Sequence, residues 1–207
     1  ARTGAIIGRY SPPIAFGTSD YLAISSLTHD PDGSVWLGTV AGLHHLDPKT
    51  GVWKVFKHVE HDPQSLPHDM VFTTCLDPAD PHVLWVGTNG GGFARFDTRT
   101  QQFKTYTTKD GLPNNVIYGI LSDARNNLWI GTNQGLVQFD PRTGAMTTYT
   151  KEDGLPSNEF NRYCYAKTDD GELWFEGMGG AFHFNPEDFY ETISASPTVI
   201  TGFRLVG

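Results

Sequence analysis

The chain has 207 residues, of which 38% are hydrophobic and 13% aromatic, so it can bury a core as one or two domains. Its formal net charge of −8 comes without a cluster of lysines and arginines, which argues against nucleic acid as a partner. No apolar run approaches the roughly 18 residues of a membrane span, and two cysteines are too few for a disulfide framework.

A short motif recurs four times and organises the chain. Each copy places a tryptophan between apolar residues, followed in three copies by a glycine and a threonine and then by a second apolar segment. The motif tryptophans are Trp36, Trp85, Trp129 and Trp174. Because a fixed period of roughly 40–50 residues is typical of repeat architectures, the sequence predicts a repeat protein.

Taken in chain order, the third copy shows best what one repeat contains. The β-branched and apolar residues 116–121 predict a buried first strand, and Asp123 to Asn127 predicts a turn. Residues 128–132 and 136–139 predict the second and third strands, and residues 145–150 predict a polar outer strand. Four antiparallel strands in each repeat are typical of a β-propeller blade.

The sequence therefore predicts an all-β protein, a β-propeller built of four-stranded antiparallel blades. About four blades are present. The predicted blades cover about 22–57, 70–108, 115–150 and 161–189, all within a propeller domain of residues 1–190. Residues 2–10 resemble the outer strand of a further blade, and 191–207 are predicted to be a final outer strand or a linker to a following domain. No helix of useful length fits the chain.

The recurring motif residues are interpreted as fold residues. Large aromatic side chains fill the gap between blades packed face to face, and the glycine two positions after the tryptophan allows close approach at the strand end.

Candidate binding residues lie in the crossings between blades, because these differ from copy to copy and open onto one face of the central channel. Asp-Gly-Leu-Pro within the crossings is typical of turns. The polar residues that follow could hold a polyhydroxylated or otherwise polar ligand, or they could cap turns. The candidates are His68, Asp69, Asn114, Asn115, Asn158, Glu159, Asn161, Arg162 and Tyr163.

Other clusters of histidine and cysteine residues give little support for a catalytic or metal-binding site. His58 and His61 lack the spacing of a helical zinc motif, and His44 and His45 are adjacent on a strand, so they point to opposite faces. Cys75 and Cys164 lie on the first strands of different blades, and we expect both to be free, buried thiols. No catalytic motif is present, so we expect no enzymatic activity, metal or cofactor.

The repeats resemble the two-component regulator propeller family. The residues that carry the resemblance are Asp-Gly-Leu-Pro at 110–113, Leu-Trp-Ile-Gly-Thr at 128–132 and Phe-Asp-Pro at 139–141. Residues 154–161, 175–180 and 184–186 look like the last blade of this family, and residues 197–205 look like the join to an immunoglobulin-like domain.

The resemblance implies a sensor region of a bacterial membrane receptor, often a hybrid histidine kinase or a diguanylate cyclase, located in the periplasm and responding to a small polar ligand such as an oligosaccharide. Because full propellers of this family usually have seven blades, the four blades would be part of a larger, seven-bladed propeller. The chain would then be a piece of a longer receptor or, less favoured, a small closed ring. An enzyme of lyase or hydrolase type and a protein-interaction scaffold are alternatives. Open blade faces could also pair two chains into one eight-bladed ring.

Overall fold

The computed structural model describes residues 8–10 and 23–191. Nearly all regular structure in these ranges is β-strand, arranged in four antiparallel sheets that follow one another along the chain. Within each sheet, neighbouring strands in space are also neighbours in sequence, so each sheet is a simple meander. The predicted all-β propeller is confirmed. No helix in the described ranges has the length and apolar character needed to cross a bilayer.

The strands are grouped blade by blade. Blade 1 contains β1 (Ile24–His29), β2 (Val35–Thr39), β3 (Gly42–Asp47) and β4 (Val52–Phe56). Blade 2 contains β5 (Val71–Leu76), β6 (Val83–Thr88), β7 (Phe93–Asp97) and β8 (Gln102–Tyr106). Blade 3 contains β9 (Ile117–Ser122), β10 (Leu128–Thr132), β11 (Gly135–Phe139) and β12 (Met146–Tyr149). Blade 4 contains β13 (Phe160–Lys167), β14 (Leu173–Gly177) and β15 (Gly180–Phe184), followed by α1 (Asp188–Glu191), the single α-helix of the described ranges.

Blade 4 thus has three strands in the described part of the chain, and α1 follows where the other blades have a fourth strand. Phe189 of α1 packs against Trp129 and Tyr149, both at 5.0 Å between ring centroids. It fills the gap between blades 3 and 4 as Phe103 of β8 does between blades 1 and 2. The proposed final outer strand within 191–207, and most of the one at 2–10, lie outside the described residues.

Three of the four motif tryptophans fill the gaps between consecutive blades, as expected, whereas Trp174 stacks on His183 of its own blade. Trp36 meets Phe96 of blade 2 with 5.5 Å between ring centroids, and Trp85 meets Phe139 of blade 3 at the same distance. Trp129 meets a phenylalanine of β15 in the same way, at 4.8 Å. The three core clusters of the described residues lie between blades 1 and 2, 2 and 3, and 3 and 4. Packing of aromatic side chains between blades therefore holds the propeller together.

In blades 1 to 3, the glycine two residues after the motif tryptophan makes room for the first strand of the next blade. A β-carbon on Gly87 would lie 2.5 Å from side-chain carbons of Ile117 and Thr73. Ile117 is the first residue of β9, so the glycine admits the first strand of blade 3. Blade 4 has Glu176 at this position, and no further blade follows it in the described chain.

The first strands of the blades lie side by side around the propeller axis. Thr28 and Thr74 join β1 to β5 through their hydroxyls at 2.7 Å. The Tyr165 hydroxyl donates to Thr73 Oγ1 at 2.8 Å and links β13 to β5 across blade 3. These contacts place the starts of the first strands, where the crossings arrive, at one mouth of the axis.

Candidate functional site

The Asp-Gly-Leu-Pro crossings have a structural role. Thr107 caps one turn of 3-10 helix, Thr108–Asp110, and the Asp110 carboxylate accepts from the Thr107 backbone N–H at 2.8 Å. Gly111 then turns the chain with φ 110°, a left-handed conformation that favours glycine, and Leu112 is buried in the core. The crossing that begins at Thr150 has the same geometry.

Three of the predicted binding side chains hold the crossings together instead of facing an open pocket. Asn115 Oδ1 accepts from the Thr108 backbone N–H at 2.8 Å, and Asn158 Oδ1 accepts from the Lys151 backbone N–H at 2.6 Å. In the crossing between blades 1 and 2, Asp69 Oδ1 accepts from the His58 backbone N–H at 2.7 Å. Because these oxygens already have backbone partners, their first role is to fix the path of the chain.

Three further candidates make local turn contacts on the crossing face. His68 Nδ1 accepts from the Met70 backbone N–H at 3.0 Å, and Asn114 Oδ1 accepts from the Val116 backbone N–H at 2.8 Å. Glu159 has an exposed side chain, and its backbone N–H donates to the Ser157 hydroxyl at 3.1 Å. None of these contacts brings the three side chains to one point.

The remaining candidates lie in a β-bulge that is wider in blade 4 than in the other blades. In blades 1 to 3 the first strand carries a one-residue irregularity near its start. In β13, Phe160 pairs with Gly177 and Tyr165 pairs with Phe175, so four residues, 161–164, stand opposite Glu176 alone. Tyr163 within the bulge has a φ of 67°. Wide bulges and left-handed non-glycine residues are enriched at functional sites.

The bulge brings first-strand residues of all four blades together at the mouth of the axis. The Arg162 guanidinium carbon lies 5.1 Å from the centroid of the Phe72 ring. The Phe72 ring stacks on the Tyr118 ring with 6.1 Å between their centroids. The Tyr163 hydroxyl donates to Ser25 Oγ at 3.4 Å, and the Tyr163 side chain is 54% exposed. We call these five residues the axial mouth.

The structure therefore separates the nine predicted residues into two groups. Arg162 and Tyr163 belong to the axial mouth, and Asn161 precedes them in the bulge. The other six lie along the crossings. Sequence reasoning missed Ser25, Phe72 and Tyr118, although each is the second residue of its first strand and that position could have indicated them.

The thiols and histidines form no reactive cluster in the described ranges. Cys75 and Cys164 are both free and half-buried. Burial raises the pKa of the Cys75 thiol to about 11, and a hydrogen bond with Glu176 raises the pKa of the Cys164 thiol. A thiol with a raised pKa is a poor nucleophile at neutral pH. Among the described residues, no three His, Cys, Asp or Glu side chains are placed to hold a metal ion.

Comparison with known proteins identifies the repeat. Residues 111–134 match the family described as two component regulator propeller. The match covers the crossing into blade 3 and the first two strands of that blade. The family resemblance drawn from the sequence is confirmed. Histidine kinase P4 of Formosa agariphila is 28% identical over 191 residues, which cover 88% of this chain and 13% of that protein. The chain thus spans about an eighth of this relative.

Two solved structures share the propeller fold. The extracellular domain of a proposed hybrid two-component system from B. thetaiotaomicron superposes with a TM-score of 0.68 and 22% identity, over 80% of this chain and 23% of that chain. Virginiamycin B lyase from Staphylococcus aureus superposes with a TM-score of 0.58 and 20% identity, over 78% of this chain and 52% of that chain. At these identities the likeness shows the fold alone, and one neighbour is an extracellular domain of a two-component system while the other is a lyase.

Proposed function

We propose that this chain is the ligand-sensing, non-catalytic propeller region of a bacterial two-component receptor of the hybrid histidine kinase type, located in the periplasm. The family match and the likeness to an extracellular receptor domain support this proposal. The observation that carries it is the four-residue bulge of β13, which presents Arg162 and Tyr163 at the mouth of the axis.

The axial mouth offers the chemistry that a hydroxylated ligand requires. Arg162 provides several N–H donors on a flat guanidinium, and the Tyr163 and Ser25 hydroxyls both donate and accept. The buried Phe72 ring beneath Arg162 supplies an apolar floor. A few convergent polar groups above an apolar surface are typical of small-molecule sites. An oligosaccharide is the ligand class that we favour.

Signal transmission follows from differential affinity. A ligand shifts a receptor between two states only as far as it binds one state more tightly than the other. We propose that occupation of the axial mouth changes the placement of the propeller relative to a following immunoglobulin-like domain.

Isothermal titration with a panel of neutral and acidic oligosaccharides tests the proposed function. For any member that binds, Arg162→Ala should weaken binding by about tenfold or more, because a charged hydrogen bond contributes about 1.5–3 kcal/mol. Arg142→Ala is the matched control, because Arg142 pairs with Asp140 in an exposed turn of blade 3 away from the axial mouth. Equal affinities for both variants would rule out the axial mouth as the ligand site.

A further inference from the structure

The slot between blades 3 and 4 is filled by a tyrosine of the chain itself. The Tyr190 hydroxyl donates to Asp123 Oδ2 at 2.7 Å and accepts from Gln138 Nε2 at 2.8 Å and from the Asn127 side-chain amide. The Arg125 guanidinium lies 4.0 Å above the tyrosine ring. A phenol therefore has all of its hydrogen-bonding capacity satisfied in this slot.

The equivalent slot between blades 1 and 2 has polar residues at the same three positions. Counted from the motif tryptophan, Asp30, Ser34 and His45 occupy the places of the three residues that hold the Tyr190 hydroxyl. The Trp36 indole N–H donates to Asp30 Oδ2 at 3.0 Å, as the blade 3 tryptophan does to its aspartate at 2.9 Å. His45 Nε2 lies 2.8 Å from Ser34 Oγ, so two polar groups converge beside the carboxylate.

This slot is open where its counterpart is filled. It has a volume of about 370 Å³, which is within the range of small-molecule sites and sufficient for a phenol ring. Trp36 and Phe56 provide aromatic walls on blade 1, and Pro81 and His82 form part of the opposite wall on blade 2. Lys54 also lines the slot and supplies a cation, since Asp32 stands where blade 3 has Arg125.

We propose that the slot between blades 1 and 2 binds a phenolic group. The hydroxyl donates to Asp30 Oδ2 and accepts from His45, while the ring packs against Trp36 and Phe56. A small free phenol and the tyrosine side chain of a partner protein share this chemistry. An aromatic ring without the hydroxyl makes no hydrogen bond to the Asp30 carboxylate or to His45, so the slot discriminates against it.

Titration of the nitrogen-15-labelled 207-residue chain with p-cresol, and separately with toluene, tests the proposal. We expect p-cresol to shift the Trp36 indole N–H resonance in a saturable manner, with the Trp85 resonance little changed, and to bind about tenfold or more tightly than toluene. Equal affinities for the two probes, or equal shifts at both tryptophans, would overturn the proposal. This comparison uses the unmodified chain, so it does not depend on how a variant folds.

A pair of matched variants tests whether the p-cresol hydroxyl binds at the Asp30 carboxylate. Asp30→Asn removes the carboxylate acceptor of the slot, and Asp77→Asn removes the equivalent acceptor of the Trp85 indole in blade 2. We expect Asp30→Asn to weaken p-cresol binding by about tenfold, while Asp77→Asn leaves it unchanged. Unchanged binding in Asp30→Asn would refute the assigned geometry.

N-acetyl-tyrosinamide and a short tyrosine-containing peptide distinguish the two sources of the phenol. Tighter binding of the peptide than of p-cresol supports a tyrosine from a partner protein, and equal or weaker binding supports a free phenol. Because the slot is separate from the axial mouth, loss of oligosaccharide binding in Arg162→Ala does not affect this test.

Discussion

At the scale of single residues, three of the four motif tryptophans donate a hydrogen bond as well as packing in the core. The indole N–H groups of Trp36, Trp85 and Trp129 each donate to an aspartate carboxylate at 2.8–3.0 Å. The sequence indicated only the apolar role, since the aspartate stands six residues before the tryptophan in blades 1 and 3 but eight before it in blade 2. Blade 4 has Thr168 at this place, and the Trp174 indole N–H is buried without a hydrogen-bond partner among the described residues.

Replacing Thr168 with aspartate should give the Trp174 indole N–H a hydrogen-bond acceptor. A hydrogen bond to a buried donor contributes about 0.5–1.5 kcal/mol, so we expect Thr168→Asp to raise the free energy of unfolding by about 1 kcal/mol. Urea denaturation followed by tryptophan fluorescence measures the change. Thr143→Asp adds the same charge to an exposed turn without an indole beside it and should have almost no effect. No stabilisation in Thr168→Asp relative to this control would contradict the role assigned to the aspartates.

At the scale of strands and turns, the repeat period and local turn chemistry were sufficient to predict most of the fold. The strands expected at 128–132 and 136–139 are found at 128–132 and 135–139. The wide bulge of β13 and the helix α1 after β15 could not be predicted, because neither depends on local sequence. The bulge is defined by its pairing with β14, and α1 is held by contacts with blade 3 that are about 60 residues away in sequence.

The contacts of α1 with blade 3 predict a measurable cost when the Tyr190 hydroxyl is removed. Tyr190→Phe leaves the side-chain amides of Asn127 and Gln138 without their acceptor, so we expect α1 to lose about 1–3 kcal/mol of local stability. Hydrogen exchange of the α1 amides and of the Trp129 indole measures the loss. The control is Tyr10→Phe, because Tyr10 is exposed and makes a single hydrogen bond to the Pro48 carbonyl. Equal exchange in the two variants would contradict this role of α1.

The same contact predicts a dependence on alkaline pH. Burial, together with the hydrogen bond to Asp123, raises the pKa of the Tyr190 hydroxyl. A group whose folded pKa is raised contributes stability that is fully present below the unfolded value, about 10 for tyrosine, and is lost as the pH rises through the folded value. Hydrogen exchange of the Trp129 indole, compared with the Trp85 indole at each pH, should show selective weakening above pH of about 10. The dependence of this difference on pH should vanish in Tyr190→Phe, which has no hydroxyl to titrate.

At the scale of the whole molecule, blade 1 presents a face that a preceding blade covers elsewhere in the chain. Leu27 is 66% exposed, whereas Ile120, at the equivalent position of blade 3, is 1% exposed because blade 2 packs over it. A groove of about 270 Å³ with a mostly apolar lining runs beside Leu27 and includes Leu46 and Trp53. Exposed apolar surface of this kind is characteristic of an interaction site.

We therefore propose that the isolated chain associates with itself through its open blade faces. Sedimentation velocity over a range of concentrations should show a dimer that grows at the expense of monomer. Leu27→Lys should shift the equilibrium towards monomer, because it places a charge in the apolar contact. Val59→Lys is the matched control, since Val59 is 53% exposed on a crossing loop away from the blade 1 face. If Leu27→Lys and Val59→Lys associate alike, or if the unmodified chain stays monomeric at all concentrations, the blade 1 face does not pair with a second copy.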